Sequence, residues 1–202
     1  MLHRLRKVLQ VYNAHLIGMS SQRVEVDETY VGGKERFRHG KKKQSKDNPY
    51  FARDGSRYNK KIILIGAIER GGKVILRRIH AATTDNMVPF IEDHVLTEAE
   101  VITDEHKGYE PLCEKYTHNT VNHSRGNYVR GYIHTNSIEN FWSVMKRSIK
   151  GVYYHISNKH IERYMHEFSG RFNTRKLDVM QNFNSLLANS EGRLTYTELT
   201  KL

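Results

Sequence analysis

Read from Arg23 onward, stretches with strand character come first and then alternate with helical ones, an order that few folds accept. Residues 23–31, Arg-Val-Glu-Val-Asp-Glu-Thr-Tyr-Val, alternate and are β-rich, which predicts a strand closed by Gly32-Gly33. Residues 62–69 and 73–80 predict two more strands joined at Gly71-Gly72. A helix is expected over 84–95, a short strand over 100–104, a helix over 106–116 and a strand over 119–123. Over 137–150, Ile138, Phe141, Trp142, Met145 and Ile149 fall on one helical stripe, and a further helix is expected over 158–173. Three consecutive strands followed by alternating helices and strands predict an α/β mixed sheet flanked by helices. Upstream, Leu2, Leu5, Leu9 and Tyr12 are spaced for a short helix over 1–16, so residues 1–20 read as the end of a helical region. Residues 176–202 are weakly patterned and read as a C-terminal tail.

The strand pattern is interrupted by a segment of different character. Residues 34–61 hold eleven Lys/Arg against three acids, a net charge of +8 out of the chain's +11, with few apolar residues. This predicts a long loop, mobile when nothing is bound. Its cations, with Lys34, Arg36, Arg38, Lys41, Lys42 and Lys43 at the front, suit a polyanion, and nucleic acid is the usual one. A single cysteine, Cys113, excludes an internal disulfide framework and a multi-cysteine zinc site. The twelve histidines are scattered and form no H-E-x-x-H pair. No apolar run is long enough for a membrane span, and the N-terminus lacks the apolar core of a signal peptide. The expectation is a soluble, intracellular protein.

Three acids stand out by their placement. Asp27 lies within the first strand, Asp104 closes the strand Val-Ile-Thr-Asp, and Glu139 opens the 137–150 helix. Carboxylates are hard oxygen donors suited to Mg²⁺ or Mn²⁺, and a pair of such ions serves phosphodiester chemistry. Each acid also has a plainer use. Glu25, on the strand of Asp27, is expected on a solvated face, and Glu139 with Asn136 as N-cap would come close to a capping box. Lys146 lies two turns after Glu139, about 10 Å along the axis, within reach of a DNA phosphate beside a metal site. Arg147 and Lys150 extend the same basic helix end.

Four motifs carry a resemblance: Val-Asp-Glu-Thr-Tyr-Val-Gly-Gly-Lys (26–34), Thr-Asp-Glu-x-x-x-Tyr (103–109), Val-Asn-His-Ser (121–124) and His-Thr-Asn-x-Ile-Glu-x-Phe-Trp-Ser-x-x-Lys-Arg (134–147). Together they resemble the ISXO2-like transposases of the IS1595 group, from about residue 2 to residue 175. The resemblance implies an RNase H-like catalytic domain over 21–175, agreeing with the order of elements. It implies a DDE-type triad on Asp27, Asp104 and Glu139, with Lys146 downstream and Asn136 as an alternative to Glu139. It further implies two Mg²⁺ or Mn²⁺ ions, transposon-end and target DNA as partners, a homo-oligomer assembled on DNA, and a cytoplasmic, DNA-associated site of action. Family members carry an N-terminal zinc ribbon and helix-turn-helix, and residues 1–20 resemble the end of the latter. The competing expectations are a truncated DNA-binding remnant without activity and an RNase H-like nuclease.

Overall fold

A computed structural model describes residues 2–13, 16–19, 22–32, 61–121, 132–154, 156, 158–190 and 195. Residues 34–60 of the basic segment, including Lys34, Arg36, Arg38, Lys41, Lys42 and Lys43, lie outside the described residues, and so does the mobility expected of them.

Five strands form one mixed sheet: β1 (Arg23–Val31), β2 (Ile62–Glu69), β3 (Val74–Ile79), β4 (Glu100–Thr103) and β5 (Thr117–Thr120), in the order β3-β2-β1-β4-β5. β1 pairs antiparallel with β2 and parallel with β4, and β4 pairs parallel with β5. The first three strands are a meander, and the crossover from β3 to β4 runs through helix α2 (Thr84–His94). This is the sheet order of the RNase H-like fold, as the element order predicts.

Both faces of the sheet are covered. Alternation along β1 and β2 sends Val24, Val26, Ile65 and Ala67 into one core with Met87, Phe90 and Ile91 of α2. It sends Val31, Ile62, Leu64 and Ile68 into a second core under α3 (Asn136–Ser148) and α4 (Ile161–Asn173). The predicted stripe of α3 faces this second core: Ile138, Phe141, Trp142 and Met145 are buried, and Trp142 is only 3% exposed. Room for that indole is made at Gly66, where an added Cβ would lie 2.7 Å from Trp142 Cζ2. Gly66 is the register partner of Asp27, so the indole packs on the sheet beside that carboxylate.

Several elements differ from expectation. Residues 107–114 form a 3₁₀ helix, with Pro111 inside it, where a proline removes an α-helical hydrogen bond. The last strand begins at Thr117, earlier than its apolar content suggests, because parallel pairing with β4 sets its register. The helix after residue 136 leaves α geometry at Ile149–Tyr153, a π turn. The weakly patterned 176–202 stretch contains α5 (Val179–Ala188), started by a reciprocal capping box between Asp178 and Gln181. At the N-terminus, α1 (Leu2–Val8) packs on α4 through a buried ion pair, Arg6 Nε to Glu167 Oε2 at 2.7 Å. Ile17 then bridges to Val95 and joins the core under α2.

Candidate active site

The parallel register of β1 and β4 aligns Val24 with Val101 and Glu25 with Ile102. Two residues further on, Asp27, midway along β1, comes level with Asp104, which stands just past the carboxyl end of β4, the usual side for a site on an open α/β sheet. One carboxylate oxygen from each of Asp27, Glu28 and Asp104 lies within 4.8 Å of the other two. All three residues are half-buried. Asp104 Oδ1 accepts from the backbone N–H of His106 at 3.0 Å, and Glu28 Oε2 accepts from the phenol of the fully buried Tyr109 at 2.8 Å.

The electrostatics follow from this crowding. Burial first, then the charges of Glu28 and Asp104, push the Asp27 carboxyl up to about 7; the Glu139 charge adds to the rise, while a hydrogen bond from the Glu28 backbone opposes it. Burial also raises Glu28, against the hydrogen bond from Tyr109, which lowers it. Burial and the neighbouring Glu28 together raise the Tyr109 phenol well above its ordinary value. Among the described residues, no Lys or Arg forms an ion pair with any of the three clustered acids. The donor set is therefore all-oxygen and convergent, which fits a hard divalent cation such as Mg²⁺ or Mn²⁺.

Glu139 stands in the first turn of α3, exposed, close enough for its charge to act on Asp27 but outside the 4.8 Å group. Its Oε1 accepts from Thr135 Oγ1 at 2.8 Å. The expected capping box is replaced: Thr135 is the N-cap, and Asn136 is the first helical residue, exposed. The orphan N–H groups of the first turn go elsewhere. Ser137 N and Ile138 N donate to Glu25 Oε2 at 2.7 and 3.1 Å. Glu25 is thus not on a solvated face; it is fully buried under the start of α3 and held by Arg70. The expectation fails because β1 is central in a sheet covered on both sides. Lys146, Arg147 and Lys150 are exposed at and beyond the C-terminal end of α3.

Glu28 is the acid that placement within the sequence did not single out. Its signal was adjacency to Asp27 in the 26–34 motif, but period-two alternation puts neighbours on opposite faces and hides their convergence. A cavity of about 630 Å³ lies between α1 and α5, lined by Leu5, Leu9, Phe183 and Leu186 among others, and none of the clustered acids lines it.

A mixed five-stranded sheet with acids gathered where the middle of β1 meets the carboxyl end of β4, near the first turn of α3, defines the chain as an α/β protein with a candidate carboxylate metal site. The family described as the ISXO2-like transposase domain matches residues 19–173, and the chain belongs to that family. Neither a curated protein nor a solved structure matches the chain. Among the described residues, no helix is long and apolar enough to cross a membrane.

Proposed function

We propose that this chain is the catalytic part of a DDE-type transposase that cuts DNA at transposon ends and joins the freed 3′ ends to target DNA. The observation that carries the reading is the convergence of Asp27, Glu28 and Asp104 where the middle of β1 passes the carboxyl end of β4, with the start of α3 beside them. Asp27, Asp104 and Glu139 would hold two Mg²⁺ or Mn²⁺ ions, with Glu28 as an adjoining carboxylate and Asn136 as the neighbouring polar alternative to Glu139. When bound, the ions supply Lewis-acid stabilisation of the attacking and leaving oxygens. The protein's own share is geometry and charge. The paired strands β1 and β4 hold the acids at fixed spacing, and Tyr109 and the His106 N–H orient Glu28 and Asp104. Lys146, Arg147, Lys150 and the cations of the 34–61 segment neutralise DNA phosphates and hold the scissile bond at the acids.

The reaction comprises two displacements at phosphorus. In the first, water attacks the phosphodiester at the transposon end and the 3′-oxygen leaves as a hydroxyl. In the second, that 3′-hydroxyl attacks a target phosphodiester, forming one P–O bond while the target's own 3′-oxygen departs. DNA is the substrate, and action in the cytoplasm as a homo-oligomer on two transposon ends completes the reading.

The test is Asp104→Asn, which nearly keeps shape but loses the negative charge a divalent cation needs. Mg²⁺-dependent cleavage and strand joining on transposon-end DNA should disappear, while gel-shift binding at matched salt persists. Cleavage equal to wild type would overturn the assigned acids. Cleavage by the wild type without any strand joining would identify a nuclease, and wild-type binding without either activity would identify a DNA-binding remnant.

A further inference from the structure

We infer that Glu25 and Arg70 form a positioning clamp that fixes Glu139 of α3 relative to Asp27 of β1. The inference rests on the proposed metal site and names residues that act on it without touching metal or DNA. Glu25 and Asp27 are two apart on one strand, so their side chains share a face, roughly 7 Å apart along it. Glu25 is fully buried inside the protein, where an unpaired carboxylate is costly. Four donor groups from three residues offset that cost. Arg70 Nε donates to Oε1 at 2.6 Å and Ser137 Oγ at 3.0 Å, while Ser137 N and Ile138 N donate to Oε2. A side chain from β1 therefore satisfies two first-turn N–H groups of α3, and the next residue after them is Glu139.

Arg70 extends the clamp to the chain that enters α3. Its NH1 donates to the Tyr132 carbonyl at 2.6 Å, and its NH2 to the His134 carbonyl at 2.7 Å. The same NH2 lies 3.1 Å from His134 Nδ1, which must accept, because a guanidinium only donates. One planar cation thus joins the end of β2, the Glu25 carboxylate and the segment 132–134. The approach to α3, its first turn and the strand of Asp27 become one rigid unit. Thr135 Oγ1 then holds the Glu139 carboxylate itself. A cap that served only to stabilise the helix could be supplied locally by Ser, Thr, Asp or Asn at Thr135 or before it. A buried acid drawn from the strand that carries Asp27 does more: it sets the distance between two candidate ligands that are 112 residues apart in sequence.

The experiment measures Mn²⁺ binding by the free-ion electron paramagnetic resonance signal on the full chain, with circular dichroism as the fold control. Glu25→Gln should weaken Mn²⁺ affinity about ten-fold, the low end for residues that support metal ligands. In a Glu139→Gln background the same change should cost less than about two-fold, because its target is already gone. Equal losses in both backgrounds, or no loss where Glu139→Gln alone weakens binding, would overturn the clamp. Should Glu25→Gln fail to fold, Ser137→Ala removes one bond to Glu25 without stranding a charge, and Arg70→Lys keeps charge while losing the fork. Each should weaken Mn²⁺ binding only when Glu139 is present, and a loss independent of Glu139 overturns the inference equally. Asp104→Asn separates the two failures. Unchanged Mn²⁺ binding in that variant overturns the metal site and the clamp with it, whereas lost binding there without Glu25–Glu139 coupling overturns the clamp alone.

Discussion

Replacing Asp27 by Asn should stabilise the metal-free protein above neutral pH, although it removes a residue proposed to be essential. Asp27 is raised from 3.8 to about 7, chiefly by burial and then by the charges of Glu28 and Asp104. In the native state it therefore keeps its proton between pH 4 and 7, where the unfolded chain has released it. The native state binds more protons over that window, so its stability falls as pH rises through it and levels off above about 7. Asparagine carries no such penalty. At about 1.4 kcal/mol per pH unit, the ceiling on the variant's advantage at pH 8 is about 4 kcal/mol. Asp27 is half-buried, and water reduces the cost of its charge, so about 2 kcal/mol is expected. Urea unfolding of both proteins in EDTA, at pH 4, 6 and 8, gives the difference directly. It should be near zero at pH 4, intermediate at pH 6 and largest at pH 8. Adding Mg²⁺ at pH 8 should then stabilise the wild type and not the variant, since a ligand that binds only the native state adds stability by mass action. A variant no more stable than wild type at pH 8 in EDTA would refute the account of Asp27 as a charge crowded by its neighbours.

Two further outcomes follow from the packing and the charge. Trp142→Ala removes a side chain that is 3% exposed and packed against Gly66 and Phe141, so unfolding free energy should fall by about 3–5 kcal/mol; a loss under about 1 kcal/mol would mean that the indole is not part of the second core. Lys146→Ala, Arg147→Ala and Lys150→Ala together should weaken binding of all duplex sequences alike and flatten the salt dependence, by about 0.9 in slope for each phosphate no longer neutralised, read by fluorescence anisotropy; an unchanged slope would remove these residues from the DNA interface.

How much of the site is legible before folding depends on the range of the physics involved. Asp27 and Asp104 can be found because one sits within a strand and the other just past one, each strand with a local pattern, and Trp142 because a helical stripe is local too. Glu25 and Glu28 are misjudged or missed for a shared reason. Alternation tells which residues share a face, but not what covers that face. Glu25 looks solvated until α3, more than a hundred residues later, lays its first turn on it. Glu28 looks like the odd neighbour of Asp27 until β4 brings Asp104 within 4.8 Å of both.

From its sequence alone, then, this chain determines the order of its strands and helices, the buried stripe of α3, its excess of positive charge and the motifs of its family, because each is written in local periodicity, in composition or in runs of adjacent residues. Tertiary structure alone decided that β1 is central with both faces covered, that Glu28 joins Asp27 and Asp104, and that a buried Glu25, paired with Arg70, links the strand of one candidate ligand to the helix of another. Those outcomes depend on parallel register and on the unsatisfied N–H groups of a helix end, and both are matched only when segments distant in sequence meet.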